Sequence, residues 1–357
     1  MSFPNCFVDS FQHYSTADLF GLGNGQKWSG VGPQATQANT FISLGTGIAG
    51  NSLRIVASAS VFGVYKTFPN LATYVIGFRF RINQIISNAF QNLCGLYDSG
   101  TPQAILTLNG DGTLSLTRAG TAVTGGRSTN TLNINTWYYI EMMCTINSSI
   151  GANTWQLNVN GVNWANVAAG QSSKNSANST ANQVYLGIGN MPGNGVQTMD
   201  FCDFYCDGGG SVNSGAFWGD IKVECHWPIA QGTYSAWFPY GGLRVGCVND
   251  ITPNGDTNFI ADNTINDKST YIFQPLVYPP ASIMCTQVVH TSRKPDAGTR
   301  QIADYCLSSG TAVAGNTVSL TNTYQIYTNV LTQDPHTSAA WTANGINAAE
   351  FGVEEVS

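Results

Sequence analysis

An all-β architecture is what this 357-residue sequence predicts, and three observations carry it. Only 10% of the residues are charged, against roughly 25% in ordinary soluble domains, so the surface must be built from neutral polar groups. Aromatic residues reach 11% while Lys-, Glu- or Ala-rich blocks are scarce, a composition suited to strands and turns rather than helices. From residue 51 onward, short stretches of alternating apolar and polar residues are broken by Gly, Asn and Asp, the pattern of a sandwich or barrel. A chain of this length can bury a sizeable core in two domains, or in one large domain with an appendage.

The clearest strand is "YVIGFRFRI". Tyr74, Ile76, Phe78, Phe80 and Ile82 share one face, and Val75, Gly77, Arg79 and Arg81 share the other. Next, Leu106 and Leu108 are joined to Leu114 and Leu116 through Asn109-Gly110-Asp111-Gly112, residues that tolerate the positive φ of a tight hairpin. "WYYIEMMCTI" puts Tyr138, Ile140, Met142, Cys144 and Ile146 on one face, and "WQLNVNGVNW" makes a second hairpin at Asn160-Gly161. "QVYLGIGN" adds Val184, Leu186 and Ile188, after the solvated loop "AAGQSSKNSANSTANQ".

Beyond "WFPYGGLRV" the pattern changes: a long polar stretch over 248–270 precedes "ASIMCTQVVHTSR", "QIADYCLSSG" and "TYQIYTNVL", which resume as strands. The expected organisation is therefore an N-terminal arm or first strands over 1–50, a main β domain over 51–240 and a smaller β-rich region over 241–357. One helical turn is expected in "GINAAEFG" and no other helix. No segment recurs as a repeat.

A net charge of −6 with 14 dispersed basic residues leaves no footprint for a phosphate backbone, so nucleic acid is not expected as a partner. The start "MSFPNCFVDSFQHY" lacks the basic and apolar regions of a secretion signal, and no apolar run is long enough for membrane insertion. Synthesis in a cytoplasm is the expectation, and the sequons at Asn147 and Asn178 then read as chance.

The nine cysteines show no CxxC pair and so no zinc signature. Cys6, Cys202 and Cys206 are candidates either for buried thiols or for a crosslink between chains.

The stretch "DFCDFYCDGGGSVNSGAFWGDIKVE" is the densest in chemistry. Two carboxylates acting on a glycosidic bond must share a face, and Asp200 and Asp203, three apart on an extended strand, point opposite ways. Asp203 with Asp207 is a better pair, but Gly208 to Gly210 put Asp207 at the strand's end. Asp207 and Asp220 beside the glycine loop, or Asp250, Asp256 and Asp262 in the polar stretch, are candidate calcium ligands without a fixed-spacing signature. The histidines, His13, His226, His290 and His336, are far apart in sequence and read as satisfied structural residues. Trp137, Trp155, Trp164, Trp218, Trp227, Trp237 and Tyr240 fall near strand ends, where a ring can stack on sugar or fill an interface.

The succession "YVIGFRFRI", "LTLNGDGTLSLTRAGT", "NTWYYIEMMCTI" and "WQLNVNGV" resembles the concanavalin A-like, laminin-G-like jelly roll, which implies that sandwich as the fold of the main domain. "MDFCDFYCDGGGSVNSGAFWGDIKVECHWP", "VVHTSRKPDAGTRQI" and "DPHTSAAWTANGINAAEFGVEEV" resemble a group of tailed-bacteriophage and prophage virion structural proteins, through Asp203, Gly210, Ser211, Trp218, Gly219, Asp220 and Pro228. The sequence departs from that group by placing Cys202 and Cys206 in the strand.

The resemblance implies a non-enzymatic virion component in several copies on capsid, collar or tail. Its partners would be other phage structural proteins, copies of itself and host-surface glycan. No cofactor and no catalytic residue come with it. The alternative is a carbohydrate-binding module using exposed Trp and calcium, and a glycan-degrading enzyme ranks third.

Overall fold

The computed structural model describes residues 5–20, 27–32, 35–48, 50–57, 61–87, 90–190, 196–210 and 212–357. Parts of the expected N-terminal arm and Ser211 lie outside these residues. The described chain is nearly all β, and its main unit is a two-sheet jelly-roll sandwich, as expected. Its compact units are Asn5–Phe20 with Trp28–Val223, and Glu224–Ser357.

In the first unit an eight-stranded sheet runs in the order Val162–Asn166, Trp155–Val159, Tyr138–Thr145, Thr73–Ile82, Gln197–Gly208, Ser52–Ala57, Thr40–Ser43, and Cys6–Asp9 also pairs with Gln197–Gly208. The facing seven-stranded sheet runs Thr121–Thr131, Thr113–Arg118, Thr101–Leu108, Phe90–Asp98, Ala181–Asn190, Val61–Leu71, Gly30–Val31. Period-two alternation does what it must: Tyr74, Ile76, Phe78, Phe80 and Ile82 are all buried between the sheets with Leu106, Leu116, Ile140, Met142 and Phe201. Both hairpins form as expected, the second with Asn160 at φ 49° and Gly161 at φ 76°, the paired positive angles that an Asn-Gly turn accepts.

Two expectations on organisation are corrected and one is narrowed. Of the two readings of residues 1–50, an arm or first strands, the described part takes the second, because Cys6–Asp9 and Thr40–Ser43 pair into one sheet and Gly30–Val31 into the other. Asp9 anchors this segment from inside, accepting hydrogen bonds from Phe11 N (2.9 Å), Tyr14 Oη (2.6 Å) and Trp28 Nε1 (2.7 Å). The boundary between units falls at 223/224 rather than 240, because Pro228–Ser235 pairs with Lys268–Phe273 of the second unit. Besides the expected turn, a helix at Ala343–Ala348 capped by Thr342, a short helix occupies Thr16–Phe20, where the hydroxyl and amide of Ser15 both donate to Asp18.

The second unit holds a five-stranded sheet ordered Pro228–Ser235, Lys268–Phe273, Glu350–Glu355, Gln301–Ser308, Thr311–Ser319, and separate strand pairs that include Thr286–Ser292 with Gln325–Leu331. Among the described residues no helix is long and apolar enough to cross a membrane.

Candidate functional site

The aspartates of the densest stretch lie on the outer face of the eight-stranded sheet, and the neighbouring strands bring arginines to them. In the antiparallel register Asp200 sits directly across from Arg54 on one side and from Arg81 on the other. Residues opposite one another on one face are within side-chain reach, so the ladder Arg54–Asp200–Arg81 follows from register alone. Arg54 grips the carboxylate with both arms of its fork, Nε to Oδ1 at 2.7 Å and Nη2 to Oδ2 at 3.0 Å. Arg81 adds Nη2 to Oδ2 at 2.8 Å and reaches Thr46 O at 3.1 Å, and Ser52 Oγ lies 3.4 Å from Oδ1. The Asp200 side chain is 4% exposed while those of Arg54 and Arg81 keep 26% and 28%, so the acid is the floor and the bases are the walls.

Asp203 corrects the reading that it points away from Asp200. The pairing slips between Cys202 and Tyr205: three steps along this strand match two on its neighbour, Arg79 to Gly77. That extra residue is a β-bulge, with Asp203 at φ 49°. The bulge turns the Asp203 carboxylate onto the outer face, where Arg79 Nε donates to Oδ2 at 2.7 Å. Arg79 also contacts Asp220, and Val223 N donates to Asp203 Oδ1 at 3.0 Å, so Asp203 fixes the loop while Asp220 is held by a guanidinium rather than by amides. Burial pushes the Asp203 carboxyl up, opposed by the Val223 amide and Arg79.

Farther along, the face is closed. Trp218 lies flat on Tyr205 at 4.3 Å, with an interplanar angle of 4°. Tyr205 Oη donates to Glu141 Oε1 at 2.7 Å, and Gly219 N donates to the same oxygen at 2.9 Å. Burial raises the Glu141 carboxyl above the usual carboxylate range, against these donors. Gly77 leaves the room the tyrosine ring needs, since a Cβ there would sit 2.1 Å from Tyr205 Cε1.

The outer face is thus a gradient, covered at Glu141 and open at Asp200. The open end is a polar recess of about 320 Å³ lined by Arg54, Arg81, Asn83, Asn135, Thr198 and Asp200. Trp137 stands against Arg81, its ring centre 4.7 Å from the guanidinium.

The other candidates are dispersed. Asp207 is buried and accepts from Val212 N at 3.0 Å; Asp250 accepts from Asn254 Nδ2 at 2.8 Å; Asp256 accepts from Tyr324 Oη at 2.6 Å and pairs with Arg293. Among the described residues no three His, Cys, Asp or Glu side chains converge, and the calcium candidates Asp207, Asp220, Asp250 and Asp256 do not form one site. Cys6, Cys202 and Cys206 are buried; burial, with Asp203 beside it, pushes Cys202 up to about 12, which suits an inert apolar role.

Of the aromatics, Trp155, Trp218 and Trp237 are buried, Trp137, Trp164 and Trp227 are half-buried, and Tyr240 is exposed against Phe259. Sequence reasoning missed Arg54 and Arg81 as partners of Asp200, and Asn135 as part of the recess lining. The one available signal was the outward pair Arg79 and Arg81 on the best strand.

No family model matches the chain, and no curated protein matches it. Among solved structures it is similar to a sialidase at 14% identity and TM-score 0.40, over 57% of this chain and 18% of that one. It is similar to alginate lyase Aly36B at 13% identity and TM-score 0.40 (57% and 96%), and to a cellulose induced protein, Cip1, at 16% and 0.37 (50% and 90%). The chain thus spans about a fifth of that sialidase's length.

These comparisons overturn the expectation of a non-enzymatic virion component: the three proteins are named for glycans or glycan chemistry, and none is named as a part of a phage particle. The expectation that the chain is not an enzyme falls on the same finding, because a sialidase and an alginate lyase are enzymes. The physical reason lies in the motif itself. Asp203, Trp218, Gly219 and Asp220 are what this sandwich uses to close a loop on its sheet, so their spacing reports packing and not a location.

Proposed function

We propose that the jelly-roll unit binds a glycan bearing carboxylates at the open end of its outer face. The observation that carries this reading is the Arg54–Asp200–Arg81 ladder at the base of a water-facing recess. Two guanidiniums share one carboxylate, so the recess keeps one positive charge in excess. Asp200 already holds both forks in place, so little side-chain freedom is lost when a ligand arrives. Planar forks suit an incoming carboxylate better than a lysine would. Asn83, Asn135 and Thr198 offer amides and a hydroxyl to sugar hydroxyls, and Trp137 offers an aromatic surface beside the charge. The volume falls within the roughly 300–1,000 Å³ typical of small-ligand sites.

The reading is tested by calorimetric titration of the full chain with uronate-containing and with neutral oligosaccharides, at low and high salt. Binding confined to the acidic ligands, weakened by salt and weakened at least about tenfold in Arg81→Gln, is expected, since a hydrogen bond to a charged group contributes about 1.5–3 kcal/mol. A chelator should leave it unchanged. Equal affinity for neutral oligosaccharides, or no binding to any, overturns the reading.

A further inference from the structure

The second unit holds three polar side chains, from three different strands, each with at least one buried nitrogen or oxygen that has no hydrogen-bond partner. His290 Nε2, Asp304 Oδ1 and both amide atoms of Asn329 are without one. Asp304 is 3% exposed, Asn329 4% and the His290 side chain 13%, so these atoms are withdrawn from bulk solvent. Backbone register explains why they meet. Val288 pairs with Asn329 and His290 with Tyr327, which makes His290 and Asn329 diagonal neighbours on one face of their two-stranded sheet. Asp304 reaches them from Gln301–Ser308, whose pairing with Thr311–Ser319 slips at this point, between Ala303 and Tyr305.

Gly315 shows that the space is reserved for the amide. A Cβ there would lie 2.2 Å from Asn329 Nδ2 and 3.3 Å from Asp304 Cβ, so only glycine admits the pair as it stands.

His290 Nε2 and Asp304 Oδ1 are 3.4 Å apart, yet neither makes a hydrogen bond. On the other edge of the ring, Nδ1 lies 2.8 Å from Ser292 Oγ. With Nδ1 donating to that hydroxyl, Nε2 presents its lone pair to a carboxylate oxygen, and two acceptors at such a distance repel unless a cation lies between them. Two ligands of a tetrahedral ion, each about 2.0–2.1 Å from it, are themselves about 3.3–3.4 Å apart. The hydroxyl on Nδ1 is also the kind of outer partner that fixes a metal-ligating imidazole, and Tyr327, stacked at 5.2 Å, holds the ring in plane.

We propose that His290 Nε2, Asp304 Oδ1 and Asn329 Oδ1 form a binding site for one divalent transition-metal ion of the zinc type. Imidazole with oxygen donors selects such ions over calcium or magnesium, which prefer oxygen alone. Two strong ligands and a neutral amide leave a coordination position for a further small ligand. The site lies in the second unit and stands apart from the glycan reading.

The test uses the full chain, stripped with chelator and dialysed, then titrated with zinc and, for spectroscopy, with cobalt. One equivalent of zinc per chain is expected, with a higher unfolding temperature, and both are lost in His290→Gln and in Asp304→Asn. Asn329→Asp adds a carboxylate and is expected to tighten binding at least tenfold, a gain that a merely misfolded variant cannot imitate. Cobalt should bind without a thiolate charge-transfer band, and Cys225→Ser/Cys285→Ser, which removes the two partly exposed thiols, should bind as the parent does. No bound metal, or binding that follows the cysteines and ignores His290 and Asp304, overturns the proposal and leaves a proton as the cation between the two groups.

Discussion

Asp200 and Asp304 are both buried carboxylates on β-strands, and the fold treats them in opposite ways. Asp200 meets an arginine on each neighbouring strand in direct register, with a serine hydroxyl behind, and every part of its charge is answered. Asp304 meets a histidine at 3.4 Å that does not hydrogen-bond to it and an asparagine whose amide is unmatched. Desolvating a carboxylate without partners is costly, and the usual solutions are a cation or a proton. The difference teaches that a short row of arginines at same-face register compensates a buried acid within the chain, whereas the second unit has left that compensation to something it must take up.

Removing the acids separates the two cases most sharply. Asp200→Ala leaves two guanidiniums facing each other over a deep position, and a loss of about 3 kcal/mol is expected, read as a lower urea midpoint. Asp304→Asn in the metal-free chain removes a charge that no hydrogen bond supports at Oδ1, and a change of under about 1 kcal/mol is expected, of either sign. A large loss at Asp304 with a small one at Asp200 would break the contrast.

Packing on the covered end of the outer face comes next in size. Gly77→Ala forces a methyl against the Tyr205 ring, which is wedged between the sheet and Trp218. Overpacking of this kind costs about 2 kcal/mol. The displaced ring should also show in tryptophan fluorescence through Trp218, while uronate binding at the distant open end of the same face persists. An unchanged spectrum would mean that the Tyr205–Trp218 stack is not what closes the loop.

Much of the fold was legible because alternation is a local property: Tyr74 to Ile82 assigns its own two faces, and Asn160-Gly161 assigns its own turn. The site was legible only in part, because it depends on register. The rule that residues three apart oppose each other holds on a regular strand, and the bulge at Asp203 suspends it. A positive φ at aspartate is permitted by its short polar side chain but is not signalled by it. The unit boundary was misplaced because Pro228–Ser235 finds its partner some 40 residues on, at Lys268–Phe273, and no neighbouring residue records that choice. His290 reads in sequence as a satisfied structural residue, which its unpartnered Nε2 corrects, and Asp304 and Asn329 carry no signal of their own; the three lie on three strands, and only the fold brings them into one place.

The smallest expected effect concerns the covered acid. Burial raises the Glu141 carboxyl while Tyr205 Oη and the Gly219 amide pull it back, so the folded chain holds this proton more tightly than the unfolded one. A raised acid weakens the fold most above its folded pKa, and the penalty fades as pH falls toward the unfolded value of about 4.3. Glu141→Gln keeps an oxygen for both donors and removes the titration. Its stability relative to the parent should therefore be greatest at neutral and higher pH and should shrink steadily on acidification. Measuring the difference between the two chains, and not either one alone, removes the contributions of other titrating groups. A gap that widened as the pH fell would mean that Tyr205 and the Gly219 amide outweigh burial and that Glu141 is held charged.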